Sequence, residues 1–151
     1  MLADLAALAE RHVDDLKPYH PVAVVRQFTK MMRAELDFLR ELRNMQQFRQ
    51  NFAADDTVHF PVPYPEVCSR RVLTMERLEG ALVSQIKLAP GANPEMDEFA
   101  RRGANMYLEM IFRDGFYHAD PHPGNLMLLP EGVVGVLDCG NRGWAAWSPP
   151  L

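Results

Sequence analysis

The chain has 151 residues, of which 48% are hydrophobic, and its formal net charge is −4 at pH 7. This length suits one domain or part of one, and the apolar share can bury a core, which excludes a disordered tail. The acidic balance argues against a nucleic-acid-binding protein. The two cysteines lie far apart, so they predict neither a disulfide framework nor a zinc cluster, and a reducing compartment is expected.

Two helices are predicted in the first third of the chain. Residues 2–16 carry apolar side chains at near-helical spacing, and Pro18 and Pro21 interrupt the pattern. Pro21 is suited to the first turn of the next helix. Across residues 22–52 an apolar residue recurs every three or four positions without glycine or proline, which predicts one long helix.

Short strands, a connector and a further helix are predicted next. Residues 57–62 and 71–75 have the pattern of strands on either side of a proline-rich turn, and residues 76–80 form a connector. Residues 89–94 predict a loop. Residues 95–113 predict a helix whose inward positions are Phe99, Gly103, Met106, Met110 and Ile111. The glycine either weakens this helix by about 1 kcal/mol or marks close packing.

The last part of the chain has a different pattern. The apolar runs 126–129 and 133–137 are joined by a Pro-Glu-Gly turn, which predicts a β-hairpin. Residues 141–151 predict no regular element. Trp144 and Trp147 would form either a patch for a partner or part of a tail without a role, and the second interpretation is preferred.

The polar residues that carry chemistry lie around this hairpin. A segment stiffened by two prolines holds Asp120 and Asn125 before it, and Asp138-Cys139-Gly140 follows it. Phosphoryl transfer needs a carboxylate at the nucleophile, and an amide oxygen and a second carboxylate that hold magnesium against the phosphates. Protein kinases place the catalytic Asp five residues before the metal-binding Asn, with Asp-Phe-Gly after a hairpin. The same spacing here predicts a kinase-like site.

Two other interpretations of the loop stay open on residue type alone. Asp120 and Asn125 could be turn residues, since Asp and Asn favour turns, but the Asp-x-Gly after the hairpin favours catalysis. His118, Asp120 and His122 alternate and could bind a transition metal, which would make the protein a metal-dependent hydrolase. A hydrogen bond that braces the loop is the preferred interpretation of His118.

The loop at residues 118–125 resembles the signature of the UbiB-type atypical kinases, the aarF-domain-containing family. Glu35 and Asp37 resemble that family's Glu-x-Asp motif, residues 71–80 resemble its strand and hinge, and the resemblance covers nearly all of residues 2–140. It implies an α+β, partial protein-kinase-like fold. This fold would contain a long N-lobe helix, a hinge, and the start of a C-lobe with its catalytic loop and metal-binding hairpin.

The resemblance also implies cofactors, ATP or ADP with Mg²⁺, and it assigns roles to the loop and hairpin residues. Asp120 would be the catalytic carboxylate. Asn125 and Asp138 would be the metal ligands. Cys139 replaces the family's usual Phe in Asp-Phe-Gly, and we expect it to alter packing more than chemistry, because the metal ligand is retained.

The nucleotide-binding side is assigned by the same resemblance. On residue type alone, Glu35, Asp37 and Glu41 would form a solvated helix face with ion pairs. The resemblance instead makes Glu41 the partner of an ATP-binding lysine, and it places Glu35 and Asp37 in the family's regulatory motif. The backbone from Glu76 to Leu78 would meet the adenine.

The wider role implied is in ubiquinone or other isoprenoid-quinone biosynthesis, with an adenine nucleotide, a quinone-precursor lipid or quinone biosynthesis proteins as partners. No nucleic acid and no membrane span are expected, and the location implied is cytoplasmic, with peripheral contact at the inner face of a membrane. Residues 1–80 would be the N-lobe remainder and hinge, residues 81–140 the start of the C-lobe, and residues 141–151 a divergent tail.

The family's ATP-binding lysine would lie before Met1, and the rest of its C-terminal lobe would follow residue 151. The chain is therefore expected to be a fragment of such a protein. An inactive remnant or a binding module is the alternative to an active kinase or ATPase.

Overall fold

The computed structural model describes residues 2–35, 37–87 and 94–145, with the backbone alone at residues 31 and 33–35. The chain divides into two units, Met1–Asp37 and Phe38–Leu151. The described part of the first unit is helical, whereas the second combines helices and strands. In the described ranges, no helix is both long enough and apolar enough to cross a membrane.

The first unit is a pair of helices. Helix α1 spans Leu2–His12, a 3-10 turn follows at Asp14–Tyr19, and helix α2 spans Pro21–Glu35. The predicted start at Pro21 is confirmed, and a proline fits there because the first N–H groups of a helix have no partner within it. The carboxylate of Glu10 accepts a hydrogen bond from the backbone N–H of Val22 at 3.2 Å, which ties α1 to the start of α2.

The predicted single helix across residues 22–52 is wrong at Asp37. Helix α2 ends at Glu35, helix α3 spans Phe38–Asn51, and Asp37 between them is not helical. The backbone N–H of Phe38 donates to the carbonyl of Arg70 at 3.2 Å, outside its own helix. Hydrophobic periodicity survives an interruption this short, so the pattern could not locate the break.

The core of the second unit lies between α3, helix α4 at Pro94–Phe112, and short strands. Its side chains are aliphatic, aromatic or sulfur-containing, and all are buried: Met45, Phe48, Phe52, Val58, Phe60, Phe99, Met106, Met110, Phe116, Val134, Val136 and Cys139. The rings of Phe48 and Phe60 are stacked, with centroids 5.2 Å apart. The predicted α+β class is therefore confirmed.

Two small sheets complete this unit. The first has the order β1-β5-β4-β2, with β1 at Val58–His59, β2 at Ala81–Leu82, β4 at Leu126–Leu128 and β5 at Val134–Val136. Strand β1 is parallel to β5, and the other pairs are antiparallel. The second sheet pairs β3 at Phe116–His118 with β6 at Arg142–Trp144, antiparallel.

The two strands predicted around the proline-rich turn are largely absent. Of residues 57–62 only Val58–His59 form a strand, and residues 71–75 form none. An isolated bridge joins Pro63 to Met75 instead. The physical reason is the repeated proline of this segment, since a residue without an N–H cannot sustain a ladder of hydrogen bonds.

The predicted hairpin is confirmed, and the predicted irregular tail is wrong in part. Strands β4 and β5 pair with Leu126 opposite Val136, across a turn in which Glu131 and Gly132 have positive φ. Arg142–Trp144, expected to be irregular, is strand β6. The ring of Trp144 lies 5.1 Å from that of Phe116, so this tryptophan packs on the core, while Trp147 lies outside the described residues.

Helix α4 confirms the predicted helix at residues 95–113. Phe99, Met106 and Met110 are buried as expected, whereas Gly103 and Ile111 are only half-buried. An added Cβ at Gly103 would meet nothing within 4 Å, so the glycine does not mark close packing. The predicted loop at residues 89–94 lies outside the described residues up to its last position, Pro94, where α4 begins.

Candidate functional site

Strand β3 delivers the polar loop. The strand ends at His118, which is only 2% exposed and lies opposite Arg142 of β6. The next residue, Ala119, donates its N–H to the carbonyl of Asn141 at 3.0 Å, so the pairing with β6 continues one step into the loop. The beginning of the loop is therefore fixed by a sheet.

Both ring nitrogens of His118 are hydrogen-bonded. Nε2 contacts the carbonyl oxygen of Asp138, and Nδ1 lies 3.2 Å from the backbone nitrogen of Asp120. A carbonyl can only accept and a backbone N–H can only donate, so Nε2 carries the proton and Nδ1 accepts. The prediction that His118 braces the loop is confirmed, and its ring joins the loop to the segment that follows the hairpin.

The loop from Asp120 to Asn125 is closed by its own hydrogen bonds. The carbonyl of Asp120 accepts from the N–H of His122 at 2.8 Å, and the carbonyl of His122 accepts from the N–H of Asn125 at 2.8 Å. The amide nitrogen of Asn125 lies 3.4 Å from the carbonyl oxygen of Asp120. Nδ1 of His122 accepts from the N–H of Gly124 at 3.0 Å. These bonds and the two prolines hold the loop in one shape.

The hairpin brings the remaining carboxylate to this loop. Asn125 immediately precedes β4 and Asp138 follows β5 by two positions, so the antiparallel pairing returns the chain to the same end. The carbonyl of Asn125 accepts from the N–H of Leu137 at 2.9 Å. Oδ1 of Asp138 accepts from the N–H of Gly140 at 2.7 Å. Asp120, Asn125 and Asp138 are thus joined through His118 and the hairpin.

Helix α3 contacts the segment Asp138–Gly140 from the other side. The N–H of Cys139 donates to Oε1 of Glu41 at 3.4 Å, and the amide of Asn44 donates to the carbonyl of Cys139 at 2.8 Å. Asn44 is 6% exposed, and sequence reasoning missed it. The available signal was an amide among the inward apolar positions of an amphipathic helix, where a buried polar group needs partners.

Cys139 is fully buried within the core. Burial first, and then the negative charges of Glu41 and Asp138, raise the pKa of its thiol. A thiol that keeps its proton is a poor nucleophile, so the side chain acts as a small apolar group.

Tyr107 of α4 is a second residue that sequence reasoning missed. Burial first, and then the negative charge of Asp120, raise its pKa to about 12. Its hydroxyl is therefore near Asp120, and helix α4 contributes to the surroundings of the loop. No spacing rule in the sequence indicated that the charge of Asp120 would act on Tyr107.

The profile of the ABC1 atypical kinase-like domain matches residues 1–145 of the chain. The chain belongs to this family. The probable protein kinase UbiB of Pseudomonas entomophila (strain L48) is 37% identical over 142 residues, which cover 90% of this chain and 26% of that protein. The chain thus spans about a quarter of the length of this relative, and the expected UbiB-type family is confirmed.

A solved structure resembles the chain as well. The complex of Rv3197 with erythromycin from Mycobacterium tuberculosis matches with a TM-score of 0.71 and 28% sequence identity. The match covers 84% of this chain and 32% of the Rv3197 chain. Together with the ABC1 family match, this confirms the partial protein-kinase-like fold.

The connector of this ABC1 chain is held at Glu76. The backbone N–H of Glu76 donates to the carbonyl of Val62 at 2.8 Å. Its carboxylate oxygen Oε2 accepts from the N–H of Val62 at 3.0 Å and also lies 3.0 Å from Nε2 of His59. Burial opposes ionisation of Glu76, but these bonds and the charges of His59 and Arg49 outweigh it, so its pKa lies below the usual range. In the described part of the chain, the backbone of Leu78 forms no hydrogen bond.

A cavity of about 590 Å³ lies beside this connector. Glu76 and Leu78 line it, together with residues from the end of α3 and the turn of the β4–β5 hairpin. Asp120, Asn125 and Asp138 do not line it. The cavity therefore does not coincide with the loop that carries the candidate chemistry.

Glu35 and Asp37 belong to the first unit. Glu35 is the last residue of α2, and its side chain lies outside what the structure describes. Asp37 is half-buried and non-helical, so it does not share a helix face with Glu41, as one long helix would have required. The family's Glu-x-Asp motif thus falls at the break between α2 and α3.

The alternative transition-metal site gains no support. Both ring nitrogens of His118 are already hydrogen-bonded, and Nδ1 of His122 is occupied by Gly124. Across residues 2–35, 37–87 and 94–145, no group of three histidine, cysteine or carboxylate side chains could hold a metal ion. A magnesium site needs fewer protein ligands, because phosphate and water oxygens complete its shell.

Proposed function

We propose that the chain carries the magnesium- and nucleotide-handling part of an ATP-dependent atypical kinase or ATPase. The observation that carries the proposal is the pair of hydrogen bonds made by His118. One goes to the loop that holds Asp120 and Asn125, and the other to the segment that holds Asp138. Phosphoryl transfer depends on fixing such groups relative to each other.

In this proposal Asp120 orients or deprotonates the attacking group, and Asn125 and Asp138 hold magnesium. The donor set fits that ion, since the amide nitrogen of Asn125 is directed at a carbonyl, which leaves its oxygen as a ligand atom. One carboxylate oxygen of Asp138 accepts from Gly140, and the second is left for the metal. Bound magnesium would neutralise charge on the phosphates.

The nucleotide side of the proposal uses the connector and helix α3. The backbone from Glu76 to Leu78 would meet the adenine, and the unused N–H and carbonyl of Leu78 support this. Glu41, next to the metal-binding segment, would pair with an ATP-binding lysine. Glu35 and Asp37 would act as the regulatory motif. The substitution Asp37→Asn can test this role separately from the catalytic role of Asp120.

Residues 1–80 would then be the N-lobe remainder and hinge, residues 81–140 the start of the C-lobe, and residues 141–151 the tail. We place the activity in ubiquinone or other isoprenoid-quinone biosynthesis, at the cytoplasmic side and in peripheral contact with a membrane. The supporting observation is the similarity to the probable protein kinase UbiB. Introduced into the whole protein, Asp120→Ala should prevent the restoration of quinone content in a strain that lacks it, whereas the unchanged whole protein should restore the quinone content.

The direct test is calorimetric titration of the full chain with ATP and with ADP, with and without Mg²⁺. We expect Mg²⁺ to strengthen nucleotide binding, and Asp138→Asn to weaken it at least tenfold, as expected for loss of a charged ligand. Asp97→Asn, an exposed substitution on α4, is the matched control and should bind as the unchanged chain does. Absence of any Mg²⁺-dependent binding would refute the proposal.

Turnover separates an active enzyme from an inactive member of the family. Release of phosphate from ATP that Asp120→Ala abolishes would favour a kinase or ATPase. Binding without turnover would favour the alternative, a nucleotide-binding module.

A further inference from the structure

Asn44 is a buried polar residue to which the proposed function assigns no role. It lies on α3 among the buried side chains of Leu42, Met45 and Phe48, and it is only 6% exposed. Burying a primary amide among apolar groups is unfavourable unless its polar atoms find hydrogen-bond partners. The partners of the Asn44 amide therefore indicate what the residue does.

The amide nitrogen of Asn44 donates to two successive carbonyl groups. Its distance to the carbonyl oxygen of Cys139 is 2.8 Å, and its distance to that of Gly140 is 3.4 Å. Both acceptors follow directly after Asp138. Since Asn44 and Cys139 are 95 positions apart in the chain, this contact is tertiary and ties α3 to the metal-binding segment.

The backbone of this segment is then held at every position. His118 contacts the carbonyl of Asp138, and Glu41 accepts from the N–H of Cys139 at 3.4 Å. The N–H of Gly140 is directed at Oδ1 of Asp138 at 2.7 Å, which fixes the orientation of the carboxylate. That last bond requires the backbone at residues 139–140 to stay where the Asn44 amide holds it.

We infer that Asn44 is a positioning residue that fixes the backbone after Asp138 and thereby sets the orientation of the metal-binding carboxylate. The link to magnesium rests on the proposed function of Asp138, whereas the link to the backbone rests on the hydrogen bonds alone. Asn44 contacts neither substrate nor metal in this account, and it acts through Asp138. The amide of Asn44 then couples helix α3 to magnesium affinity, beside the contact of Glu41 with the same segment.

Two substitutions remove the hydrogen-bond donor in different ways. Asn44→Asp keeps the shape but places a carboxylate against two carbonyl oxygens, and Asn44→Leu replaces the amide with an apolar group of similar size. The second variant covers the case in which the first does not fold. Asn44→Gln keeps the amide donor and should therefore retain part of the function that the other two variants lose. The matched control is Asn51→Asp on the same helix, whose oxygen still accepts from Gln47.

The first measurement needs no nucleotide. Amide hydrogen exchange should become about tenfold faster at Cys139 and Gly140 in the folded donor-less variants, the factor expected for one ordinary hydrogen bond. Amides of β5, inside the first sheet, should exchange at unchanged rates, as should all of these amides in the control. Unchanged exchange at residues 139–140 in both folded variants would overturn the inference.

The second measurement is the magnesium concentration that gives half-maximal nucleotide binding. We expect it to rise about tenfold in Asn44→Asp or Asn44→Leu, with nucleotide affinity in the absence of magnesium unchanged. If Asn44 had a purely structural role, its substitution would weaken nucleotide binding without magnesium as well as the dependence on magnesium. That result would also overturn the inference. If the unchanged chain shows no magnesium dependence, the proposed function fails, and the exchange measurement still decides the role of Asn44.

Discussion

Tyr107 is half-buried on α4, near enough to Asp120 for the charge of that carboxylate to act on its hydroxyl. Its pKa is raised to about 12, from 10.0 for an unperturbed tyrosine. The folded chain therefore holds this proton more tightly than the unfolded chain does. The stabilisation associated with neutral Tyr107 is complete below about pH 10 and is lost as the pH rises through about 12.

We expect the tyrosinate absorbance of the native protein to show a late step near pH 12, which Tyr107→Phe removes. The free energy of unfolding should fall over this pH range in the unchanged chain and fall less in Tyr107→Phe. Tyr19→Phe is the control, since its side chain is 73% exposed and its loss should leave the late step intact. A late step that persists in Tyr107→Phe would contradict the assignment.

Gly103 and Gly80 give opposite predictions for the same substitution. At Gly103, inside α4, an added Cβ meets nothing within 4 Å, whereas at Gly80 it would clash with the backbone carbonyl oxygen of Leu128. Gly103→Ala should stabilise the protein by about 0.5–1 kcal/mol, because alanine loses less backbone entropy in a helix. Gly80→Ala should destabilise it. Urea denaturation checks both, and a loss of stability in Gly103→Ala would contradict the first.

At the scale of elements, the loop at residues 118–125 is held by two short strands, β3 and β6, that are distant in sequence. Strand β6 pairs with β3, and two backbone hydrogen bonds extend the pairing beyond the strands. The N–H of Ala119 donates to the carbonyl of Asn141 at 3.0 Å, and the N–H of Ala145 donates to the carbonyl of Gly115 at 2.8 Å. The guanidinium of Arg142 lies 5.5 Å from the ring centre of Phe116. Strand β6 thus covers the base of the loop that carries Asp120 and Asn125.

Truncation after Gly140 should therefore lower the free energy of unfolding by roughly 2 kcal/mol or more, because several backbone hydrogen bonds of about 0.5–1.5 kcal/mol each are lost. Truncation after Ala145 keeps β6 and is the matched control. Thermal unfolding followed by circular dichroism measures both. Equal stability of the two truncated chains would show that β6 contributes nothing.

At the scale of the whole molecule, the two units differ in how many hydrophobic side chains they bury. Among the described side chains, those of the hydrophobic core cluster all belong to the second unit, between Met45 and Cys139. In the first unit, Ala6 is the only buried residue among the described side chains, and the helices have 11 and 15 residues. Isolated helices of this length are marginal in water.

We expect a chain that begins at Phe38 to unfold in one cooperative transition with a native near-ultraviolet signal, since it keeps the core. A peptide of residues 1–37 should be largely unfolded at the same temperature. Circular dichroism of both pieces is the measurement. A non-cooperative transition of the longer piece would show that its core depends on the first unit.

Much of the fold was predictable from local patterns. Helix α4, the β4–β5 hairpin and the start at Pro21 follow from periodicity and turn residues within a few positions of each other. The break at Asp37 did not follow from local patterns, because an interruption this short barely disturbs the apolar periodicity. The strand at residues 71–75 was wrongly predicted, because its β propensity takes no account of the prolines in the preceding segment, which cannot donate the hydrogen bonds of a ladder.

The sequence by itself determined the family and the spacing of Asp120, Asn125 and Asp138, because a rigid loop and a tight hairpin are encoded by adjacent residues. Only the tertiary structure decided what holds these groups together. The contact of His118 with Asp138, the contacts of Asn44 with Cys139 and Gly140, and the pairing of β6 with β3 all join residues between 20 and 96 positions apart, beyond the reach of any local pattern. Such contacts form only when the core closes, because burial removes water as an alternative partner for each polar group.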